Sequence, residues 1–206
     1  MLLRQYGIGL SRPVVLSLSR LHPFKGLEYL VDAMPLIAAA LRAVGKPVPW
    51  FVLCGPSRST ENYGDYREFL QKRASDLGVA QHVTFTGQVA HPDVRRHLAG
   101  AYIVASPSVV EALHRVALEA AAVGTPTVVS ETTGAASYLA PHNACIAVAP
   151  RSPQAIADAI IRLLTEATLY AEVRDNGLTV AEGLRVAPVA DQLEAAWLRA
   201  ASSAKS

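Results

Sequence analysis

The chain has 206 residues, 51% of them hydrophobic and 17% charged, which excludes a disordered chain and supports one large domain, or a domain and a fraction, with a sizeable buried core. Nineteen Lys and Arg against 17 Asp and Glu leave a formal charge of +2. The arginines are scattered rather than massed in a stripe, which excludes a nucleic-acid face, and no apolar run reaches the roughly 18 residues of a membrane-spanning helix.

Residues 1–12 read as a linker, and 13–206 as one domain. After Pro13, Val14 to Leu18 is a β-rich apolar run. Leu27, Leu30, Val31, Met34 and Leu41 follow at helical spacing, with Pro35 expected to kink this helix or start a second segment. Trp50 to Cys54 is a second strand, closed by Gly55-Pro56. Tyr66, Phe69, Leu70, Arg73 and Leu77 predict a helix ending at Gly78. Val83 to Thr86 is a third strand, stopped by Gly87, and 92–98 suits a short helix with Pro92 in its first turn. Tyr102 to Ala105 is a fourth strand, 116–123 an Ala-rich helix, Thr127 to Ser130 a fifth strand and Cys145 to Val148 a short sixth. Amphipathic helices over 155–164 and 189–201 complete the chain. Strands separated by helices imply βαβ units and a parallel sheet, and nearly continuous apolar strands imply a sheet covered on both faces. The fold class is therefore α/β: a doubly wound, Rossmann-like parallel sheet of six strands with extra C-terminal helices.

Cys54 and Cys145 each sit in an apolar run and read as buried, reduced thiols. The first residues turn polar too soon for a secretory signal, so the expected compartment is cytoplasmic. The six histidines show no metal-ligand spacing, so no metal is expected.

Ligands of open parallel sheets bind beyond the carboxyl ends of the strands. The loops there carry Ser19-Arg20 through Lys25-Gly26, then Gly55, then Gly87-Gln88, then Ser106 through Glu111, then Glu131 through Gly134. Arg20 and Lys25 can close on a diphosphate, the Arg bidentately and the Lys as a point charge; solvated surface charge is the plain alternative. Glu111 lies in the loop feeding the 116–123 helix and Glu119 one turn inside it. That helix start attracts anions, whereas carboxylates suit the hydroxyls of a sugar or ribose; the plain alternative is that Glu119 complements the helix dipole and Glu111 is simply exposed. Together these features describe a site for a nucleoside diphosphate sugar. No G-x-G-x-x-G follows the first strand, which argues against a nicotinamide-dependent oxidoreductase.

At these residues the chain resembles the retaining glycosyltransferases of family 4, the glycosyl transferases group 1, and only their donor-binding, C-terminal half of a GT-B fold. Arg20-Leu21-x-x-x-Lys25-Gly26 is similar to the family loop whose Arg and Lys bind the donor diphosphate. Pro107-Ser108-x-x-Glu111-x7-Glu119-Ala120, followed by Gly124-Thr125-Pro126, is similar to its most specific signature. The resemblance implies catalytic roles for Arg20, Lys25 and Glu111. It implies that Glu111 faces the donor sugar and Glu119 the ribose, that the backbone over Leu113, His114, Arg115 and Val116 meets sugar and phosphates, and that Ser19, Gly55, Gly87 and Gln88 complete the donor site. It implies no cofactor beyond the nucleotide-sugar substrate and no metal. It also implies a partner: an N-terminal acceptor-binding domain, in cis or in trans, through which the enzyme would associate peripherally with a membrane.

The chain departs from the family pattern at three places. Ser19 stands for a Gly, Leu113-His114 for Phe-Gly, and Ser137 for a carboxylate. The stretch from Arg58 to Arg73 is longer than the common family loop. The expectation is a donor-binding half that is inactive without its acceptor domain; the alternative is a stand-alone nucleotide- or partner-binding module without transfer activity.

Overall fold

The computed structural model describes residues 12–184, with Val189 and Glu194 beyond them. The linker assigned to 1–12, except Arg12, and the helix assigned to 189–201, except those two residues, lie outside the described residues. Six parallel strands form the sheet: β1 (Val14–Leu18), β2 (Trp50–Cys54), β5 (Val83–Gly87), β6 (Ile103–Ser106), β7 (Thr127–Ser130) and β8 (Ile146–Val148). Their order is β5-β2-β1-β6-β7-β8, and every pair is parallel. This is the doubly wound arrangement expected from the alternating runs. The strand order reverses between β1 and β6, where such sheets open a crevice for a ligand.

The apolar strands face two cores. Along β1, Val15 packs into one core, while Val14 and Leu16 pack into another on the opposite face, as the period-two side-chain alternation requires. The first core is covered by α1 (Leu27–Ala43), α2 (Tyr66–Asp76) and α6 (Pro153–Thr165), which supply Leu30, Met34, Leu70, Ile156 and Ile160. The other face is covered by α3 (His91–Gly100) and α4 (Arg115–Ala122), with α5 (Gly134–Leu139) and α7 (Ala167–Gly183) packed against α4. The buried face of α4 is all alanine (Ala117, Ala120, Ala121), and a Cβ at Gly177 of α7 would reach 3.4 Å from the Ala121 Cβ, so small residues let these two helices approach closely.

Pro35 neither ends α1 nor starts a second helix: one 17-residue element runs through it. The proline removes one backbone donor, but Val31, Met34, Ile37 and Ala38 on either side are buried and hold both turns against the sheet. Two helices lack a strong sequence signal. α5 has only six residues, and α7 buries only Val173 and Gly177 among its 17. The long stretch after β2 folds into a small antiparallel hairpin, β3 (Ser59–Thr60) with β4 (Gly64–Asp65), and then α2. Asp65 caps α2, its carboxylate accepting from Arg67 N at 2.8 Å.

Candidate functional site

The site forms where two loops meet at the switch point. The loop after β1 runs along the end of β2, with Ser19 N donating to Cys54 O and Leu21 N to Pro56 O, each at 2.9 Å. It then turns through a single 3₁₀ turn, Pro23–Lys25, into Gly26. The loop after β6 is tied to it: Val109 N donates to Phe24 O at 2.8 Å.

Three glycines make these approaches possible. Gly26 has φ +63°, and a Cβ there would collide with the Pro107 carbonyl oxygen. Gly55 has φ +146°, and a Cβ would collide with the Ser19 carbonyl oxygen. A Cβ on Gly134 would collide with the Ala112 carbonyl oxygen, which instead accepts from Gly134 N at 2.9 Å. The Lys-Gly pair of the first motif thus has a packing reason: Gly26 lets the lysine loop lie on the loop that carries Glu111.

The crevice is an open cavity of about 270 Å³. Seven of the residues expected from sequence line it: Ser19, Lys25, Glu111, His114, Arg115, Val116 and Glu119. Leu18, His91 and Val94 also line it and were not foreseen. His91 opens α3 directly beyond the end of β5, on the same sheet edge; its position in the loop pattern was the available signal. Five expected residues do not line the cavity. Arg20 is exposed in the same loop, without an ion pair among the described residues. Gly55 and Gly87 are linked by Gly55 N donating to Gly87 O at 2.8 Å, and Gln88 and Leu113 are exposed. Arg67 donates to Phe85 O at 3.0 Å, which fixes α2 to β5.

A second cavity of about 330 Å³ lies between α3 and α4 and shares His91, Val94 and Glu119 with the first. Leu98, Ala122 and Val123 make it the more apolar of the two. Together they fall within the roughly 300–1,000 Å³ of small-molecule sites. Glu119 stands at the border between them.

The electrostatics centre on one ion pair. Lys25 Nζ is bound to Glu111 Oε2, with the two side chains 14% and 23% exposed. His114 is buried and sits at φ +61°, ψ +64°, as the residue before α4, whose N-terminus has no side-chain cap. The positive φ explains why a glycine suits this position in the pattern: only Gly adopts it routinely. The imidazole points inward rather than across the cavity. Its Nε2 lies 2.7 Å from Ser106 Oγ, and its Nδ1 lies 3.5 Å from both Ser108 Oγ and Glu111 Oε2. Burial lowers the His114 pKa, the Lys25 charge lowers it further, and Glu111 opposes both. Burial pushes the Glu111 carboxyl up, but the hydrogen bond and charge of Lys25, followed by those of His114, outweigh it and bring it below its ordinary value. Among the described residues no three His, Cys, Asp or Glu side chains stand together as a metal site, and no helix is long and apolar enough to cross a membrane.

The chain matches the family model described as glycosyl transferases group 1 over residues 2–179. It belongs to that family. Among its relatives is a GDP-mannose-dependent alpha-(1-6)-phosphatidylinositol monomannoside mannosyltransferase of Mycobacterium tuberculosis, 37% identical over 175 residues, which are 79% of this chain and 41% of that protein. Among solved structures, the Anabaena protein Alr3699/HepE in complex with UDP and glucose superposes with a TM-score of 0.80 at 26% identity, covering 97% of this chain and 51% of that one. The C-terminal domain of a group 1 glycosyl transferase, LpcC of Francisella tularensis, shares the fold at a TM-score of 0.74 and 19% identity, covering 87% and 88% of the two chains. The chain thus spans about half the length, or less, of the full-length proteins it matches.

Proposed function

We propose that this glycosyl transferase chain is the donor-binding, C-terminal half of a retaining family 4 enzyme of GT-B architecture, and that it binds a nucleoside diphosphate sugar. The observation that carries the reading is the meeting of the Lys25 loop with the Glu111 loop and the α4 N-terminus at the switch point of the sheet. A strong cation, an anion-attracting helix end and two carboxylates, Glu111 and Glu119, there share one cavity. The Anabaena neighbour crystallised with UDP and glucose, and the GDP-mannose dependence in the mycobacterial relative's name, support the same substrate class.

In this reading Lys25, Arg20 and the free N–H groups of the first turn of α4 hold the diphosphate. Glu111 accepts from donor-sugar hydroxyls and Glu119 from the ribose. The apolar cavity beyond Glu119, with the backbone at Gly87 and Gln88, takes the base. As the bond from the anomeric carbon to the diphosphate breaks, negative charge grows on the leaving phosphate. Lys25, Arg20 and the helix end are already placed to stabilise it. The acceptor hydroxyl would attack from the face the leaving group vacates, losing its proton to it, so that the anomeric configuration is kept. No metal is assigned a role in this scheme. The acceptor would be held by a second domain outside this chain, in a cytoplasmic enzyme that meets any membrane through that domain, and the isolated chain would transfer nothing.

Calorimetric titration with UDP, GDP and ADP tests this. One of them is expected to bind, and Arg20→Ala and Lys25→Ala are each expected to weaken it about tenfold or more, the scale of a lost charge-assisted contact. Absence of binding, or binding indifferent to both substitutions, would overturn the proposal.

A further inference from the structure

Lys25 already has an anionic partner within its own chain. Glu111 holds it, and Glu111 is in turn held by His114, whose ring is anchored on Ser106. His114 Nδ1 lies 3.5 Å from Glu111 Oε2 and 3.5 Å from Ser108 Oγ. A carboxylate can only accept, so a ring with its proton on Nδ1 presents that proton to the Glu111 and Ser108 side and takes a hydrogen bond from the Ser106 hydroxyl at Nε2. The ring is buried at the wall of the cavity. The charged and titratable groups facing it are Lys25 from the β1 loop and Glu111 from its own loop. Arg115 and Glu119 on α4, and His91 on α3, line the same cavity. The chain keeps a histidine at this left-handed position, where a glycine would relax the backbone.

We propose that Glu111 is a built-in counter-ion of Lys25, positioned by His114, that an incoming diphosphate displaces, and that this exchange makes the site favour a nucleotide sugar over the free nucleoside diphosphate. The inference rests on the donor-site reading and deepens it. A nucleoside diphosphate that takes Lys25 leaves the Glu111 carboxylate beside a phosphate of like charge and without its lysine. A nucleotide sugar takes Lys25 and offers hydroxyls to the displaced carboxylate. After transfer the sugar is gone, Glu111 returns to Lys25, and the product diphosphate is pushed out. His114 is a positioning residue in this device: it keeps the carboxylate within reach of Lys25.

The test compares UDP with UDP-glucose, GDP with GDP-mannose and ADP with ADP-glucose by calorimetry on the same chain. Glu111→Gln keeps the shape and removes the charge. It is expected to tighten the free diphosphate about tenfold, the scale of a hydrogen bond to a charged group, while giving the nucleotide sugar no gain, so the ratio of the two affinities shifts about tenfold. His114→Gly suits the left-handed backbone and so preserves the fold. It is expected to shift the ratio in the same direction by about threefold. His114→Asn, tolerated at positive φ and able to donate from its amide, is expected to restore the ratio. A merely structural His114 would change thermal stability and both affinities alike and leave the ratio still. If no nucleotide binds the unaltered chain, the donor-site reading falls and takes this inference with it. If nucleotides bind but Glu111→Gln leaves the ratio unchanged or weakens the free diphosphate, the counter-ion inference alone is overturned. If Glu111→Gln shifts the ratio and His114→Gly does not, the positioning role of His114 is overturned.

Discussion

Gly26 offers the sharpest check on how the site is assembled. Its φ is +63°, and a Cβ there would fall far inside the 3.0 Å that real Cβ atoms keep from neighbouring heavy atoms, against the Pro107 carbonyl oxygen, and 3.2 Å from its carbonyl carbon. Gly26→Ala therefore incurs two penalties. The left-handed conformation costs about 1–2 kcal/mol for a residue with a side chain. Forcing the backbone of two packed loops apart costs about 1–3 kcal/mol more. Gly45 provides the control: its φ is +66°, and nothing lies within 4 Å of the site of its Cβ, so Gly45→Ala incurs only the first penalty. At roughly 2–4 °C per kcal/mol for a chain of this size, thermal denaturation followed by circular dichroism should place Gly26→Ala clearly below Gly45→Ala. The second half of the prediction concerns function. Separating Gly26 from Pro107 moves the Lys25 loop off the loop that leads into α4 and loosens the bond from Val109 N to Phe24 O, which takes Lys25 out of line with the α4 N-terminus, so nucleoside diphosphate affinity should fall in Gly26→Ala and stay unchanged in Gly45→Ala. Equal melting temperatures for the two variants, or equal affinities, would refute the argument that this glycine is required by the contact between loops.

Two other buried features give predictions of their own. Glu28 is 8% exposed, accepts from the Tyr66 hydroxyl and lies beside Arg73, which clamps Asp32 through contacts of 2.5 and 2.6 Å. Burial raises the Glu28 pKa, against the lowering by Tyr66 and Arg73. A carboxyl raised in the fold is favoured there in its protonated form. Its stabilising contribution is thus full below the unfolded pKa and is lost as pH rises through the folded one. Glu28→Gln, which keeps an acceptor for Tyr66, should gain stability relative to the unaltered chain as pH rises above about 4, the ordinary glutamate value, in urea denaturation; a difference that stays flat with pH would sink this account. Cys54 is fully buried and its thiol is pushed up by burial to about 11, and that of Cys145 to about 12. Neither should react with a thiol reagent at neutral pH until denaturant is added, and rapid labelling of the native chain would contradict the burial described.

Much of this protein was legible in local sequence. Five-residue apolar runs such as Val14 to Leu18 and Trp50 to Cys54 became the central strands, because a strand covered on both faces needs apolar residues on both. The 3.6-residue spacing of Leu27, Leu30, Val31 and Met34 became α1, and the Gly and Pro punctuation marked the loops. The alternation of these elements dictated a doubly wound sheet, and so the edge on which a ligand site had to lie. Short or weakly amphipathic helices, α5 and α7, escaped, since six residues carry no period and a helix burying two side chains carries little contrast.

What tertiary structure alone decided is which of the loop residues meet. Strand order β2-β1-β6 sets the first loop beside the fourth and joins Lys25 to Glu111 across 86 positions of sequence; no local pattern encodes such a pairing, because it depends on which strands become neighbours. The same order turned His114 inward onto Ser106, left Arg20 at the exposed rim and brought His91 into the cavity. Residue types and spacing established the chemistry available to the site, and the packing of two loops over Gly26 determined which groups face one another within it.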